Sequence, residues 1–505
     1  MSLYQSPFIN LLKAMDPDAE VCKEGSGTLS AKELIEKSLG AAGDLAGKGL
    51  KKGDPVLFAM DTGIEFLIVF IALLHLRVKI ALVDPHMGPH LYQAKIQQLK
   101  PKWAFIDRRL LFLQEHSFIK KLYTLKNSRG LFIPRDDTYT TICTGPWVPL
   151  YRSYQRIKFE KGPFELVPTE QDDEIIIVYT SGTLAEPKGV VQTINSIYES
   201  LLVLSTILEK KPNQSMVSHL PHFALIGMMT GYKTHFWKES LNTKSRIKFI
   251  ELNAITTLFG PPAEFLQLIE FCKKSNRMFP ASLNHIILGS APIHKNFIST
   301  IRKYYQGKIT CLYGMTEHVV ISSIDGDKKL AYPLDQDVLG KPSNAMEYYM
   351  ADDGELMVKA KYTFKRYLHQ SERTDFHPTG DLVFLDQDGN FVMKGRKKNM
   401  IIRQHKNIYP ALYESTINSI EGVREACMLG IYNEQKHDEE VFLLIESENG
   451  LTETNLRKQL NTGPNAIDSD AIPDHIVFMK IPKAGRQQKV DYQYLREHLR
   501  NLIQT

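Results

Sequence analysis

The stretch that decides the fold lies at residues 175–191, where the run IIIVY is followed by TSGTLAEPKGVV. The β-branched run predicts a buried strand, and the residues after it predict a hydroxyl-rich turn. Backbone N–H groups freed by glycine, several hydroxyl donors and the Lys188 ammonium suit a polyphosphate, which offers many acceptor oxygens. By composition alone, a Ser/Thr/Gly surface loop between two strands is an equally good interpretation.

Strand and helix patterns alternate on both sides of this loop. Apolar runs at residues 55–60 and 80–83 flank a helix-length segment at residues 63–76, which is typical of a strand, helix, strand unit. The same alternation, strand before helix, continues at residues 174–179, 196–208, 247–252, 262–273, 285–288 and 295–305. The sequence therefore predicts an α/β architecture with largely buried parallel strands.

The pattern changes after about residue 395. Short strands are predicted at residues 427–431, 441–445 and 475–479, and helices at residues 413–420 and 453–460. The polar, basic run GRKKN at residues 395–399 suits a domain junction, although a surface turn has the same composition. We predict an N-terminal domain at residues 1–395 and a small α+β domain at residues 396–505.

Length and composition indicate a globular protein of two or three packed units, since the chain has 505 residues, 43% hydrophobic and 24% charged. A net charge of +5 with scattered basic pairs gives little support to nucleic-acid binding, so no nucleic-acid partner is expected. The five cysteines are odd in number and far apart, which argues against disulfides and thiolate metal sites.

The longest apolar stretch, residues 66–74, is far shorter than the ~20 residues of a membrane helix. The first residues lack the basic region of a secretory signal. We therefore expect a cytoplasmic protein with no integral membrane segment. The usual nucleotide and catalytic signatures GxxxxGK[ST], GxGxxG, GxSxG and HExxH are absent, so any nucleotide binds in another way.

The loop at residues 179–190 resembles the hallmark YTSGTTGxPKGV of the adenylate-forming superfamily, which includes acyl-CoA synthetases, beetle luciferase and peptide-synthetase adenylation domains. Similar segments follow in the family's order at residues 289–293 (GSAPI), 312–317 (LYGMTE), 379–382 (TGDL), 395–398 (GRKK) and 482–491. The resemblance implies a large multi-subdomain adenylation domain with a small mobile C-terminal domain. It also implies activation of a small-molecule carboxylic acid with ATP and Mg²⁺, followed by transfer of the acyl group, most generically to CoA.

The resemblance gives each matching residue a role. The phosphate cradle would comprise Thr180, Ser181, Gly182, Thr183 and Lys188. The adenine side would comprise Ser290, Ala291, Pro292, Tyr313 and Gly314. In the same way, Thr316 would touch the α-phosphate, Glu317 would hold Mg²⁺, Asp381 would bind the ribose with Arg396 nearby, and Lys398 would be the hinge.

The catalytic lysine of the family corresponds to Lys489, which would stabilise charge on the α-phosphate and carboxylate oxygens. The run PKAGRQQK at residues 482–489 places it one residue later than the family pattern, and Lys483 is an alternative. For every assigned residue, a structural or solvated role is the competing interpretation.

The sequence departs from the family pattern at two places that bear on function. Leu184 and Ala185 replace the usual threonine and glycine, so the cradle loses a hydroxyl and some conformational freedom. Gln404 and His405 lie where thioester-forming members carry a glycine that lets the pantetheine arm pass. CoA is therefore a possible but doubtful acceptor, and a carrier protein is another.

Several segments resemble the β-lactone synthetases and their fatty-acid ligase-like relatives, notably residues 84–88 (DPHMG) and 486–492 (RQQKVDY). Those enzymes close the adenylate of a β-hydroxy acid with its own hydroxyl. Apolar segments at residues 223–229 and 259–266 would line the acyl site and favour a hydrophobic, fatty acid, although ordinary core packing explains them equally well. A degenerate, non-catalytic nucleotide-binding protein is a further alternative.

Overall fold

The computed structural model describes residues 10, 12–83, 89–116, 138–145, 147–150, 154–160, 170–180, 187–208, 213–217, 225–227, 230–237, 241–333, 336–373, 375–404, 406–447, 450–484 and 489–503. The chain divides into two compact units. Unit 1 comprises Met1–Phe259, Thr316–Val319 and Lys361–Thr374, and unit 2 comprises Gly260–Met315, Val320–Ala360 and Asp375–Thr505. The predicted domain boundary at residue 395 lies within the Asp375–Thr505 segment of unit 2. It stays a prediction.

Twelve strands follow one another in the first half of the chain: β1 (Glu20–Glu24), β2 (Gly27–Ser30), β3 (Pro55–Ala59), β4 (Lys79–Leu82), β5 (Trp103–Asp107), β6 (Thr140–Thr144), β7 (Gln155–Arg156), β8 (Glu174–Thr180), β9 (Lys188–Thr193), β10 (Ser215–Val217), β11 (Lys233–Phe236) and β12 (Thr257–Gly260). The later strands are β13 (His285–Leu288), β14 (Lys308–Met315), β15 (His318–Asp325), β16 (Asp337–Pro342), β17 (Met346–Met350), β18 (Glu355–Ala360), β19 (Arg366–Tyr367), β20 (His377–Leu385), β21 (Phe391–Arg396), β22 (Ile401–Arg403), β23 (Lys406–Ile408), β24 (Val423–Asn433), β25 (Asp438–Ser447), β26 (His475–Phe478), β27 (Lys483–Ala484) and β28 (Lys489–Val490).

The helices in the described residues are α1 (Ala31–Gly47), α2 (Ile64–Leu76), α3 (Pro89–Leu99), α4 (Arg108–Glu115), α5 (Ile194–Ser205), α6 (Thr243–Leu252), α7 (Pro262–Lys274), α8 (Lys295–Arg302), α9 (Gly326–Ala331), α10 (Pro410–Asn418), α11 (Glu453–Asn461) and α12 (Tyr492–Ile503). None of the helices in these ranges is long and apolar enough to cross a membrane.

Unit 1 is built around an eight-stranded sheet with the order β19-β9-β8-β4-β3-β5-β6-β7. The pairs from β8 through β7 are parallel, whereas β8–β9 and β9–β19 are antiparallel. Its inner parallel strands β3 and β5 are almost wholly buried because apolar residues occupy both faces, and α2 is apolar on nearly every side. The predicted α/β architecture with buried parallel strands is confirmed.

One predicted strand of unit 1 is wrong. The alternation predicts a strand at residues 247–252, but these residues end α6. The Asn242 side chain accepts a hydrogen bond from the Ser245 amide and caps the first turn. Ile247 and Ile250 are buried at the spacing of one helical face, whereas Lys248 is exposed. The strand follows as β12, which pairs with β10 in parallel.

Unit 2 contains strands in the order β17-β18-β20-β21-β16-β15-β14-β13, and a separate sheet in which β24 and β25 are antiparallel and β25 and β26 are parallel. Alternate residues of β24 and β25 contact different helices of residues 410–503. Met428 and Leu443 share a buried cluster with residues of α10 and α11, whereas Leu429 shares one with Leu495 and Leu499 of α12. The strands and helices predicted after residue 395 are therefore confirmed.

Candidate active site

The base of the predicted phosphate loop is a strand pair in unit 1. Thr180, the last residue of β8, lies opposite Lys188, the first residue of β9, in the antiparallel register. Ser181, Gly182 and Thr183 lie outside the described residues. The pairing fixes both ends of the loop, and the Lys188 side chain is exposed beside it.

Lys188 and the two residues predicted to contact the α-phosphate and the metal belong to the same unit. The carbonyl oxygen of Thr316 accepts a hydrogen bond of 3.0 Å from the side-chain amide of Gln192, on β9. The neighbouring Glu317 is buried, and its Oε1 accepts a hydrogen bond of 2.9 Å from the Tyr367 hydroxyl. The Lys188 ammonium lies 5.3 Å from the centroid of the Tyr367 ring. Tyr367 therefore contacts both the predicted phosphate lysine and the predicted metal carboxylate.

An ion pair anchors the short strand that carries Tyr367. Arg366 contacts Glu174 with two parallel hydrogen bonds, of 2.6 Å and 2.8 Å, and Lys79 lies 2.8 Å from the same carboxylate. Burial opposes ionisation of Glu174, but these hydrogen bonds and positive charges outweigh it and hold the pKa at about 2. The edge of the sheet beside Lys188 is thereby fixed by charged hydrogen bonds.

In unit 2, the residues predicted to bind adenine and ribose meet directly. The Tyr313 hydroxyl donates a hydrogen bond of 2.6 Å to Oδ2 of Asp381. Burial, followed by the charge of Asp381, raises the pKa of Tyr313 well above its ordinary value, so the hydroxyl stays protonated. Gly314 follows Tyr313 at the exposed end of β14.

Arg396 lies across the strand pair from Asp381, in register on β21. Its Nε is 2.8 Å from Oδ1 of Asp381, and the Asp381 charge raises the pKa of Arg396. The contact is ionic without the alignment of a hydrogen bond, and buried Oδ1 accepts no hydrogen bond from any described residue. The Arg396 charge compensates this oxygen, and the absence of an aligned donor among the described residues leaves it able to accept a hydrogen bond from a ligand.

The segment before Asp381 depends on glycine. Gly380 has φ +74°, in the left-handed region, and its amide donates a hydrogen bond of 2.9 Å to Glu355. The Thr379 hydroxyl donates to the Leu356 carbonyl and accepts from the Asp381 amide. The TGD motif therefore lies within β20, at an irregularity of its pairing with β18 that these hydrogen bonds stabilise.

The turn after β13 carries the other predicted adenine-side residues. Ser290 has φ +68°, an uncommon conformation for a residue other than glycine, while Ala291 and Pro292 follow at partly and fully exposed positions. Such strained turns are held by their surroundings and often lie at ligand sites.

The predicted hinge and catalytic lysines are all in unit 2. Lys398 lies in a single 3₁₀ turn directly after Arg396. Lys489 opens β28, where it faces Ala484 of β27. The alternative, Lys483, forms an ion pair of 2.6 Å with Glu425.

Gln404 occupies the turn between β22 and β23 at φ +49°, and its side chain is exposed. Its amide donates a hydrogen bond of 2.9 Å to Asp438, and neighbouring Arg403 forms an ion pair of 2.8 Å with Asp474. His405 lies outside the described residues. The backbone therefore has the left-handed conformation that favours glycine, but carries a long polar side chain.

The structure thus brings Lys188, Thr316 and Glu317 together in unit 1, and Tyr313, Asp381 and Arg396 together in unit 2. Sequence reasoning missed Tyr367, because a two-residue strand leaves no periodic pattern. The run Lys-Arg-Tyr at residues 365–367 offered a weak signal as a basic and aromatic segment.

Comparisons with known proteins identify the family of this chain. A family model described as AMP-binding enzyme matches residues 13–368. The chain is 23% identical over 449 residues to a 2-succinylbenzoate–CoA ligase of Geobacillus sp. (strain WCH70), covering 83% of each chain. It is 21% identical over 482 residues to the long-chain-fatty-acid–CoA ligase FadD13 of Mycobacterium tuberculosis, covering 90% of each.

Among solved structures, ATP-bound MatB from Rhodopseudomonas palustris matches with a TM-score of 0.82 at 19% identity, covering 99% of this chain and 100% of that one. The fold is that of adenylate-forming enzymes, with a large N-terminal and a smaller C-terminal domain. The chain belongs to the AMP-binding enzyme family. It is an AMP-forming ligase of the acyl-CoA synthetase type, in a family that uses ATP and Mg²⁺.

Proposed function

We propose that this ligase activates a hydrophobic, in particular fatty, carboxylic acid. A carboxylate oxygen bonds to the α-phosphorus of ATP, the bond to pyrophosphate breaks, and the acyl group then passes from the adenylate to an acceptor. The long-chain-fatty-acid–CoA ligase relative supports a hydrophobic acid. So does the apolar character of Phe259 and Phe265, in one of the two segments that the resemblance assigns to the acyl site.

The observation that carries the proposal is the environment of Asp381. Its buried Oδ1 accepts no hydrogen bond from the described residues, and Oδ2 accepts one from Tyr313. A carboxylate has about four acceptor positions, so two ribose hydroxyls can donate to it without displacing Tyr313. An aromatic ring bonded to that same carboxylate suits an adenosine, because the base can stack while the sugar is held.

The remaining roles follow the family motifs. Lys188 neutralises charge on the β and γ phosphates. The loop residues Thr180, Ser181, Gly182 and Thr183 donate hydrogen bonds to the same phosphates. Glu317 holds Mg²⁺, which proteins typically bind through one or two carboxylates together with substrate phosphates. Thr316 contacts the α-phosphate. Catalysis is then positioning of the carboxylate and neutralisation of phosphate charge.

The family motifs also assign residues to the base, the ribose and the catalytic charge. Adenine lies against Tyr313 and Gly314 and the turn of Ser290, Ala291 and Pro292, and Arg396 supports the ribose site. Lys489 stabilises charge on the α-phosphate and carboxylate oxygens, and Lys398 is the hinge of a mobile C-terminal domain.

Exchange of labelled pyrophosphate into ATP tests this proposal. The purified enzyme is incubated with Mg²⁺, ATP and one acid at a time, from acetate to long-chain fatty acids. A reaction without acid is the control. We expect exchange that depends on the acid and is fastest with hydrophobic members. If none of the acids in the panel supports exchange although ATP binds tightly, the chain is instead a non-catalytic nucleotide-binding protein.

A second candidate concerns the acceptor, and Gln404 favours it. Its long side chain occupies a glycine-type position at a hairpin tip, and charged hydrogen bonds hold that hairpin in place. Crowding of a thin pantetheine arm there would slow thioester formation by an amount typical of overpacking, ~1–3 kcal/mol. The alternative acceptor is the hydroxyl of a β-hydroxy acid, which closes to a β-lactone with release of AMP.

Matched fatty and β-hydroxy fatty acids, with and without CoA, distinguish the acceptors when products are identified by mass. Lactone from the hydroxy acid, independent of CoA, supports the second candidate. Rapid acyl-CoA formation from the plain fatty acid eliminates it. If acyl-CoA formation by the wild type is slow because the Gln404 side chain is the obstacle, the variant Gln404→Gly should accelerate transfer to CoA. Gln435→Gly, at an exposed position of another turn, is the control.

A further inference from the structure

Tyr367 is the one described side chain shown in contact with both Lys188 and Glu317. Its hydroxyl donates a hydrogen bond to Oε1 of Glu317, and the face of its ring lies beneath the Lys188 ammonium. Cation–π contacts of this length are attractive, and hydrogen bonds to a carboxylate are among the stronger ones in proteins. One side chain therefore contacts two oppositely charged groups of unit 1.

The hydrogen bond has a definite direction. The Tyr367 hydroxyl is the donor, because an ionised carboxylate can only accept hydrogen bonds. It occupies Oε1 of the Glu317 carboxylate, while the Phe364 amide donates a hydrogen bond of 2.9 Å to the backbone carbonyl of Glu317. With Oε1 engaged, the bond to Tyr367 sets the orientation of the carboxylate, whose other oxygen, Oε2, would bind a cation.

The position of Tyr367 is itself fixed. It lies opposite Val190 in the β9–β19 pair, and the Leu368 amide donates a hydrogen bond of 2.7 Å to the Gly189 carbonyl. On its other side, Arg366 is held by its two hydrogen bonds to Glu174. The ring and hydroxyl are thus carried by a strand anchored at both ends, as a positioning residue requires.

We infer that Tyr367 is a positioning residue of the adenylation reaction, which orients Glu317 towards Mg²⁺ and holds the Lys188 ammonium for the phosphates. The inference rests on the proposed function, because it takes Glu317 as the magnesium ligand and Lys188 as a phosphate ligand. Tyr367 acts through these two residues and does not touch the reacting atoms.

Two substitutions separate its two contacts. Tyr367→Phe keeps the ring beside Lys188 and removes the hydroxyl, whereas Tyr367→Leu removes both. Tyr154→Phe is the matched control: the Tyr154 hydroxyl donates a hydrogen bond of 3.2 Å to Glu115, next to the opposite edge of the same sheet. Each variant is assayed by pyrophosphate exchange over a range of Mg²⁺ at fixed ATP, and over a range of ATP at saturating Mg²⁺. Thermal unfolding is measured in parallel.

We expect Tyr367→Phe to raise the half-saturating Mg²⁺ concentration about tenfold, with the KM for the acid unchanged. Tyr367→Leu should raise the KM for ATP as well, and Tyr154→Phe should resemble the wild type. An unchanged Mg²⁺ dependence in Tyr367→Phe, with active wild-type enzyme, overturns the inference alone. Failure of the wild type to exchange pyrophosphate with any acid overturns the proposed function and this inference with it.

Discussion

At the scale of single residues, the chemistry depends on buried charges with incomplete protein partners. Asp381 is buried, receives one hydrogen bond from Tyr313 and an ionic contact from Arg396, and has an oxygen without a donor. Packing alone does not explain such an arrangement, because an apolar residue of similar size would avoid the cost of burying the carboxylate. The proposed binding of the ribose would account for it.

Asp381→Asn should weaken the use of ATP. The change removes the negative charge and replaces one acceptor oxygen with a donor, and loss of a hydrogen bond to a charged group costs ~1.5–3 kcal/mol. We expect the KM for ATP in pyrophosphate exchange to rise at least about tenfold. Asp386→Asn is the control, since Asp386 accepts a hydrogen bond of 2.7 Å from Tyr332 in the same unit. A wild-type KM for ATP in Asp381→Asn would rule out the ribose assignment.

At the scale of elements, the hairpin of β8 and β9 and its edge strand β19 position Lys188 and Tyr367. The strands approach closely at Gly189, and a Cβ there would lie 3.1 Å from Cβ of Leu368 and 3.2 Å from Cγ2 of Ile177. The edge strand is too short to be held by its own backbone pairing, so Arg366 and Glu174 add an ion pair.

Gly189→Ala should destabilise the protein by ~1–3 kcal/mol, because the added methyl group overpacks the two neighbouring strands. Denaturant unfolding measures the change in the free energy of unfolding. In Gly47→Ala, at the end of α1, the new methyl group meets nothing within 4 Å, and we expect unchanged or slightly higher stability. Equal stability of both variants would contradict the close packing of β9 and β19.

Glu174→Gln should lower the free energy of unfolding, measured by denaturant unfolding at several pH values, by an amount that depends on pH. The folded pKa of about 2 lies below the ordinary value of 4.5 for a glutamate. The ionised carboxylate therefore stabilises the fold fully above about pH 4.5, and this contribution is lost as the pH falls towards 2. We expect a deficit of ~1–3 kcal/mol at pH 7 that shrinks between these two values. Glu421→Gln, at an exposed position, is the control. A deficit that is constant from pH 7 to pH 2 would contradict the ion-pair account.

The elements also show what the sequence could predict. Buried strands such as β8 and β25 are recognisable because their apolar residues form continuous runs. The sequence predicts the segment that ends α6 wrongly, because its Ile and Phe residues satisfy both a strand and a helix pattern. The Asn242 cap and the packing of Ile247 and Ile250 favour the helix. Tyr367 could not be found, since its role depends on the pairing of distant residues.

At the scale of the whole molecule, motif residues far apart in the chain converge within each unit. Glu317 and Tyr367 meet Lys188 in unit 1, although their segments lie more than a hundred residues from β9. Tyr313 and Asp381, separated by 68 positions, meet in unit 2. Motif order along the chain predicted this grouping only through family resemblance, because spacing alone carries no information about long-range contacts.

The central claim, that the acid is activated by bonding of its carboxylate oxygen to the α-phosphorus, is tested most directly by isotope transfer. The substrate is a hydrophobic acid labelled with ¹⁸O in both carboxylate positions, and it is incubated with ATP and Mg²⁺. One set of reactions contains a labelled fatty acid and CoA, and another contains a labelled β-hydroxy acid. The nucleotide product is analysed by mass. We predict AMP that carries one ¹⁸O atom, whichever acceptor is used, because the labelled oxygen remains on phosphorus when the acyl carbon departs. Unlabelled AMP, or label in inorganic phosphate with ADP as the nucleotide product, would contradict the account.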